Sequence, residues 1–237
     1  MFSSASNVKL TENYIFSFKK RGINIFGSAN ITLDGNHVAD IAERDLMAVD
    51  HLFEPTGGII SCAEVGDSCT DIKIINNVVS ACVFTGYAVY AHNCKDYNTV
   101  VFRDNIAHSI RDTGGIIFGD PTKPSQKTCA EASRYAAYKC GLDGLVGFHT
   151  AAWAKLVFTD MTFIDNGYGG TAMVAMEGDN LNAELTNVKM YGETEARDCF
   201  YEDECLKRDH SGCTDRSGLM LSSFIRAGKD PLPKSTS

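Results

Sequence analysis

The 237-residue chain is long enough for one substantial core, and with 44% hydrophobic residues, 22% charged residues and only 5 Pro it is composed to fold. A net charge of -8 without any basic run repels phosphate backbones, which excludes a nucleic-acid partner. No stretch reaches the roughly 18 apolar residues of a spanning helix, since even residues 143–158 contain His149 and Lys155, so no membrane span is expected within the chain.

The opening MFSSASNVKLTENYIFSFKK lacks the uninterrupted apolar core and small-residue cleavage site of a signal peptide. Against it stand nine Cys, at 62, 69, 82, 94, 129, 140, 199, 205 and 213. So many favour an oxidising compartment, and the expectation is an extracellular or cell-surface protein that is part of a longer precursor. From residue 15 onward, short runs rich in Val, Ile, Phe and Tyr alternate with Gly, Asn and Asp, which reads as strands and turns. The first of these regions carries the glycosylation sequon Asn30-Ile31-Thr32.

Further along, DIKIINNVVSACVFTGYAVYA (71–91) lies over TVVFRDNIAHSIRDTGGIIFG (99–119) at a shift of 28 without a gap. Ile72, Ile74, Asn77, Thr85, Gly86 and Val89 fall on Val100, Phe102, Asn105, Thr113, Gly114 and Ile117. The same shift aligns Gly58, Gly86, Gly114 and Gly170, with Leu142 standing where one further Gly is expected, and an apolar column of Phe18, Leu46, Ile74, Phe102, Ala130 and Phe158. Short strands returning at a fixed period predict an all-β, right-handed parallel β-helix whose coils stack about 4.8 Å apart. Ile74, Phe102 and Phe158 then point inward. Asn77 over Asn105 forms a ladder at a corner of left-handed geometry, and the Gly column permits a tight bend. The β-helix is expected over residues 15–192 with loop excursions, followed by an irregular Cys-bearing tail, 193–237.

The segments NNVVSACVFTGYAVYAHNC (76–94), FRDNIAHSIRDTGGIIFGDP (102–121) and TCAEASRYAAYKC (128–140) resemble the β-helix region of the fibrocystin and fibrocystin-L family, across roughly residues 28–176. The resemblance implies a right-handed parallel β-helix in a long cell-surface ectodomain, with a transmembrane anchor outside this piece. The 237 residues hold no counterpart of the family's G8-type domain, and the tail from Arg197 matches none of its pattern. No catalytic residue is carried over.

Asp104 and Asp160 share a column two coils apart, about 10 Å by stacking, with Arg103, His108, Arg111 and Asp112 nearby. Paired carboxylates serve as acid and base, and basic groups hold uronates, so the alternative reading is a polysaccharide hydrolase or lyase acting on a hyaluronan-type substrate. Solenoid corners carry the same residue types because they face water. The reading adopted is therefore a non-catalytic β-helix that binds an extracellular protein or glycan. Cys62 with Cys69, Cys82 with Cys94 and Cys129 with Cys140 are the expected disulfides. The spacing of His92 and the cysteines fits no zinc pattern, and there is no phosphate loop or dinucleotide fingerprint, so neither metal nor cofactor is expected. Trp153, Tyr135, Tyr138 and Phe148 are assigned to core or cap rather than to a sugar platform.

Overall fold

The computed structural model describes residues 2–3, 5–42, 56–62, 69–90, 92–93, 102–119, 128–129, 131–149, 156–167, 169–175, 183–192, 219–225 and 234–235. Every regular element among them is a strand, and the strands wind through three sheets in turn. Sheet I contains Ser6–Thr11, Ala29–Asp34, Thr70–Ile75, Phe102–Arg103, Glu131–Ser133, Leu156–Thr159 and Ala183–Thr186, with the short strands His92–Asn93 and Thr128–Cys129 beside them. Sheet II contains Tyr14–Phe18, His37–Ile41, Val78–Cys82, Ile106–His108, Ala136–Tyr138, Thr162–Ile164 and Lys189–Tyr191. Sheet III runs from Phe2–Ser3 through Arg21–Phe26, Gly57–Ser61, Thr85–Tyr90, Thr113–Gly119, Asp143–His149 and Gly169–Ala175 to Leu219–Ile225 and Lys234–Ser235. One coil is a strand of each sheet, and successive coils pair in parallel. Paired strands thus also lie outside residues 15–192, at Ser6–Thr11 and Leu219–Ile225.

The period is not fixed. Equivalent side chains of successive coils are 23, 41, 28, 30, 26 and 27 residues apart. Phe102 does stack on Ile74, but its next neighbours are Ala132 and then Phe158, and beneath Ile74 lies Leu33. Phe18 belongs to sheet II, in register with Ile41, while Leu46 and Ala130 lie outside the described residues.

The interior is apolar, and an aromatic cluster runs through its middle coils. Tyr87, Phe102, Tyr135, Phe158 and Phe163 are fully buried, and Tyr87 meets Phe102 edge to face with centroids 5.2 Å apart. Such pairs add directional preference to the burial of apolar area. The Tyr87 hydroxyl bonds the carbonyls of Asn77 and Ile106 at 2.8 and 3.0 Å, so its polar tip is satisfied.

Beside the aromatics runs a column of glycines. Gly22, Gly58, Gly86, Gly114, Gly144 and Gly170 follow one another, with Gly144 where the fixed shift had placed Leu142. A Cβ on Gly58, Gly86, Gly114 or Gly144 would stand 2.8, 2.4, 2.5 or 2.8 Å from the carbonyl oxygen of the next glycine. None of the six has a positive φ, so the column is set by close stacking of backbones and not by a bend.

The Asn ladder is longer than two rungs. Asn13, Asn36, Asn77 and Asn105 stack in order, each backbone N–H donating to the side-chain oxygen of the next at 2.9–3.0 Å. Left-handed geometry falls on the residue before each rung: Glu12, Gly35, Asn76 and Asp104 have φ of 55, 68, 57 and 58°. In the next coil Tyr135 takes the rung position, bonding Gly144 O at 3.2 Å.

Candidate functional site

The carboxylates singled out in the sequence occupy the corner between sheets I and II. The left-handed column continues there through Arg134, Asp160 and Asn187, with φ of 46, 57 and 53°. Asp and Asn recur because short polar side chains tolerate this conformation better than others. Asp104 and Asp160 do share a column, but Arg134 stands between them. Its guanidinium grips Asp104 with Nε at 2.5 Å and a terminal nitrogen at 2.8 Å, and Arg103 adds a contact at 2.6 Å. Arg134 first, then Arg103, hold the Asp104 carboxyl below the usual carboxylate range. Asp160 accepts a bond from Asn187 Nδ2 at 2.5 Å. A carboxylate clamped in its charged form is a poor proton donor.

His108 faces outward from sheet II, in register with Ser80 on one side and Tyr138 on the other. Its ring stacks on Tyr138 at 4.8 Å with planes 4° apart. Burial, then the nearby His37, hold its pKa below the ordinary value, which favours the neutral ring.

The outer faces of the three sheets differ. Sheet I carries Lys9, Lys73 and Glu184 in exposed positions. Sheet III is apolar on both sides: Ile60, Ala88, Phe118, Val146 and Ala172 are buried in clusters separate from the interior. Sheet II is left with two parallel rows of outward groups, exposed or half-buried except for the buried Ser80. One reads Tyr14, His37, Val78, Ile106, Ala136, Thr162 and Lys189; the other reads Phe16, Ala39, Ser80, His108, Tyr138, Ile164 and Tyr191. Tyr14 and Phe16, on one edge strand of the sheet, and Tyr191, on the opposite edge strand, are 77%, 63% and 55% exposed. Tyr135 is core, whereas Tyr138 belongs to this outer face; Trp153 and the Phe148 side chain lie outside the described residues.

A second acidic group escaped the sequence reading. Asp143 opens its sheet III strand one coil beyond Asp112, whose carbonyl accepts the Leu142 N–H at 2.9 Å. Burial, and then the charge of Asp112, push the Asp143 carboxyl up to about 6. Its raised pKa stabilises the fold fully below the unfolded value near 3.8, and that contribution is lost as pH rises through 6. Asp143→Asn should therefore gain stability relative to the wild type between pH 4 and 7.5, by on the order of 2–3 kcal/mol. Melting both proteins across that range checks the sign.

Of the expected disulfides, Cys62–Cys69 is formed, with Cα atoms 6.0 Å apart. Cys82 and Cys140 are instead free and buried, which corrects their assignment to bridges; Cys94 and the Cys129 side chain lie outside the described residues. Both free thiols point into the core and are separated by Ile110 in one column, about two strand spacings. Burial pushes each up to about 12. Neither should react with a thiol reagent at pH 8 until the coil opens, which mass mapping of alkylated peptides during unfolding will show. Among the described residues no group of three or more His, Cys, Asp or Glu is placed to hold a metal ion, and no helix is long and apolar enough to cross a membrane.

Three parallel sheets, stacked interior columns and an Asn ladder define a parallel β-helix. Residues 1–129 match the family described as the right handed beta helix region, and the chain belongs to that family. Neither a curated protein nor a solved structure matches it.

Proposed function

We propose that this β-helix is a non-catalytic extracellular binding module of fibrocystin-like type, and that the outer face of sheet II receives a protein or glycan partner. The observation that carries this reading is the pair of outward rows on sheet II, which among the described residues hold the exposed aromatics Tyr14, Phe16 and Tyr191. The groups first considered for catalysis are already engaged: Asp104 by two arginines, Asp160 by Asn187 and His108 by Tyr138. The Cys62–Cys69 bridge supports an oxidising compartment. His108 and Tyr138 stack face to face within these rows.

The test is binding to cultured cells by the labelled protein. The triple variant Tyr14→Ser, Phe16→Ser, Tyr138→Ser should lose at least about tenfold in affinity, the scale of removing anchor aromatics. Pretreating the cells with protease or with glycosidases tells a protein partner from a glycan. Equal binding by wild type and variant refutes the assignment.

A second reading keeps one specific support, the protonatable Asp143 beside Asp112. A polysaccharide-degrading β-helix would release reducing ends or unsaturated products from hyaluronan or polyuronates, and Asp143→Asn would abolish them. Under the non-catalytic reading no product forms, and Asp104→Asn and Asp160→Asn change nothing.

A further inference from the structure

We propose that Asn30 is the acceptor of an N-linked oligosaccharide. Asn30-Ile31-Thr32 is the one Asn-x-Ser/Thr sequence in the chain, and the fold leaves its asparagine accessible. Asn30 stands in its own column with Asn7 and Asp71, where φ values of 58, 54 and 53° turn three successive coils as the chain enters sheet I. Asn tolerates this left-handed conformation, and Asn30 is exposed.

Its only described hydrogen bond is from Nδ2 to Asn7 Oδ1, at 2.6 Å. That bond uses one of the two amide hydrogens. In the transfer, Nδ2 bonds to the anomeric carbon of a lipid-linked oligosaccharide diphosphate. The carbon–oxygen bond to the diphosphate breaks, the lipid diphosphate leaves, and one amide proton passes to the transferase. The remaining N–H keeps the Asn7 contact. Thr32, which the sequon requires, sits between Lys9 and Lys73 in sheet I, and both lysines are exposed. The sugar therefore extends over a charged, solvated face and leaves the aromatic rows of sheet II open. This assignment rests on the extracellular reading proposed above and is independent of any partner for sheet II.

The experiment is secretion of the chain from eukaryotic cells behind a cleavable leader, followed by peptide mass mapping before and after peptide:N-glycosidase F treatment. The expected result is one glycosylated peptide, converted by the enzyme to an aspartate at position 30. Asn30→Gln and Thr32→Ala should each remove the glycan, and Thr32→Ser should retain it. Because Thr32→Ala leaves the left-handed residue untouched, it reads the site even if Asn30→Gln fails to fold. Secreted, folded protein with unmodified Asn30 overturns the proposal.

Discussion

Gly86→Ala is expected to destabilise the protein by about 3 kcal/mol, lowering Tm by roughly 6–12 °C. The added methyl would sit 2.4 Å from Gly114 O and 3.2 Å from the Ala107 Cβ. The first contact is with backbone, which moves only if the pairing of Thr85 with Thr113 and of Tyr87 with Gly115 yields. Flexible side chains cannot absorb it. Gly35 is the control: it has φ +68°, and a Cβ there meets nothing nearer than Glu12 Cγ at 3.4 Å. Other coils place Asn76 and Asp104 at the same corner. Gly35→Asn should therefore stay within about 0.5 kcal/mol of the wild type, since the position demands left-handed backbone and not space. Urea titration of the two variants separates these causes, and a Gly86→Ala midpoint equal to that of the wild type refutes the close-stacking account.

The contrast between those glycines shows what the sequence could reveal. Side chains of like type one coil apart were legible wherever coil length happened to match the assumed period, as for Ile74 under Phe102, Gly58 under Gly86 and Gly114, and Asn77 under Asn105. Where a coil lengthens to 30 residues, the fixed shift points to Leu142, and Gly144 is missed by two positions. Excursions consume chain without adding rise, so the period records loop length as much as stacking. The proximity of Asp143 to Asp112 was hidden for the same reason, because it exists only in the true register of that coil.

The recurrence of Asp at 104 and 160 was legible, but its cause was not. A spacing that looks like paired acid and base is produced by a backbone that requires left-handed residues at one corner, with Arg134 interposed. Cys82 and Cys140 failed similarly: proximity in sequence to Cys94 and Cys129 said nothing about direction, and both thiols turn inward. What no local pattern disclosed was the difference between sheet faces. Sheets II and III both carry apolar residues at outward positions, yet Ala88 is fully buried and Phe16 is exposed.

Asn77→Ala should be the most damaging polar substitution, costing roughly 3–5 kcal/mol. Asn77 is fully buried and binds in both directions along the solenoid. Its backbone N–H donates to Asn105 Oδ1 at 2.9 Å, its Nδ2 reaches Leu33 O and Ile75 O at 3.1 and 2.9 Å, and its Oδ1 accepts from Asn36 N–H and Nδ2, both at 2.9 Å. Alanine removes the side chain and strands donors and carbonyls that no solvent reaches, each worth about 1–3 kcal/mol when left unpaired. Asn13 makes comparable bonds at the first coil but is half-buried, so water can replace its side chain. Asn13→Ala is expected to cost only about 1 kcal/mol. Amide hydrogen exchange supplies a local readout: in Asn77→Ala the Asn36 N–H should lose protection more than amides of the last coils, because the broken rung lies between coils and not within a strand. If the two alanine variants unfold at the same denaturant concentration, or if the Asn36 amide keeps its protection, the ladder is not what fixes the corner between sheets I and II.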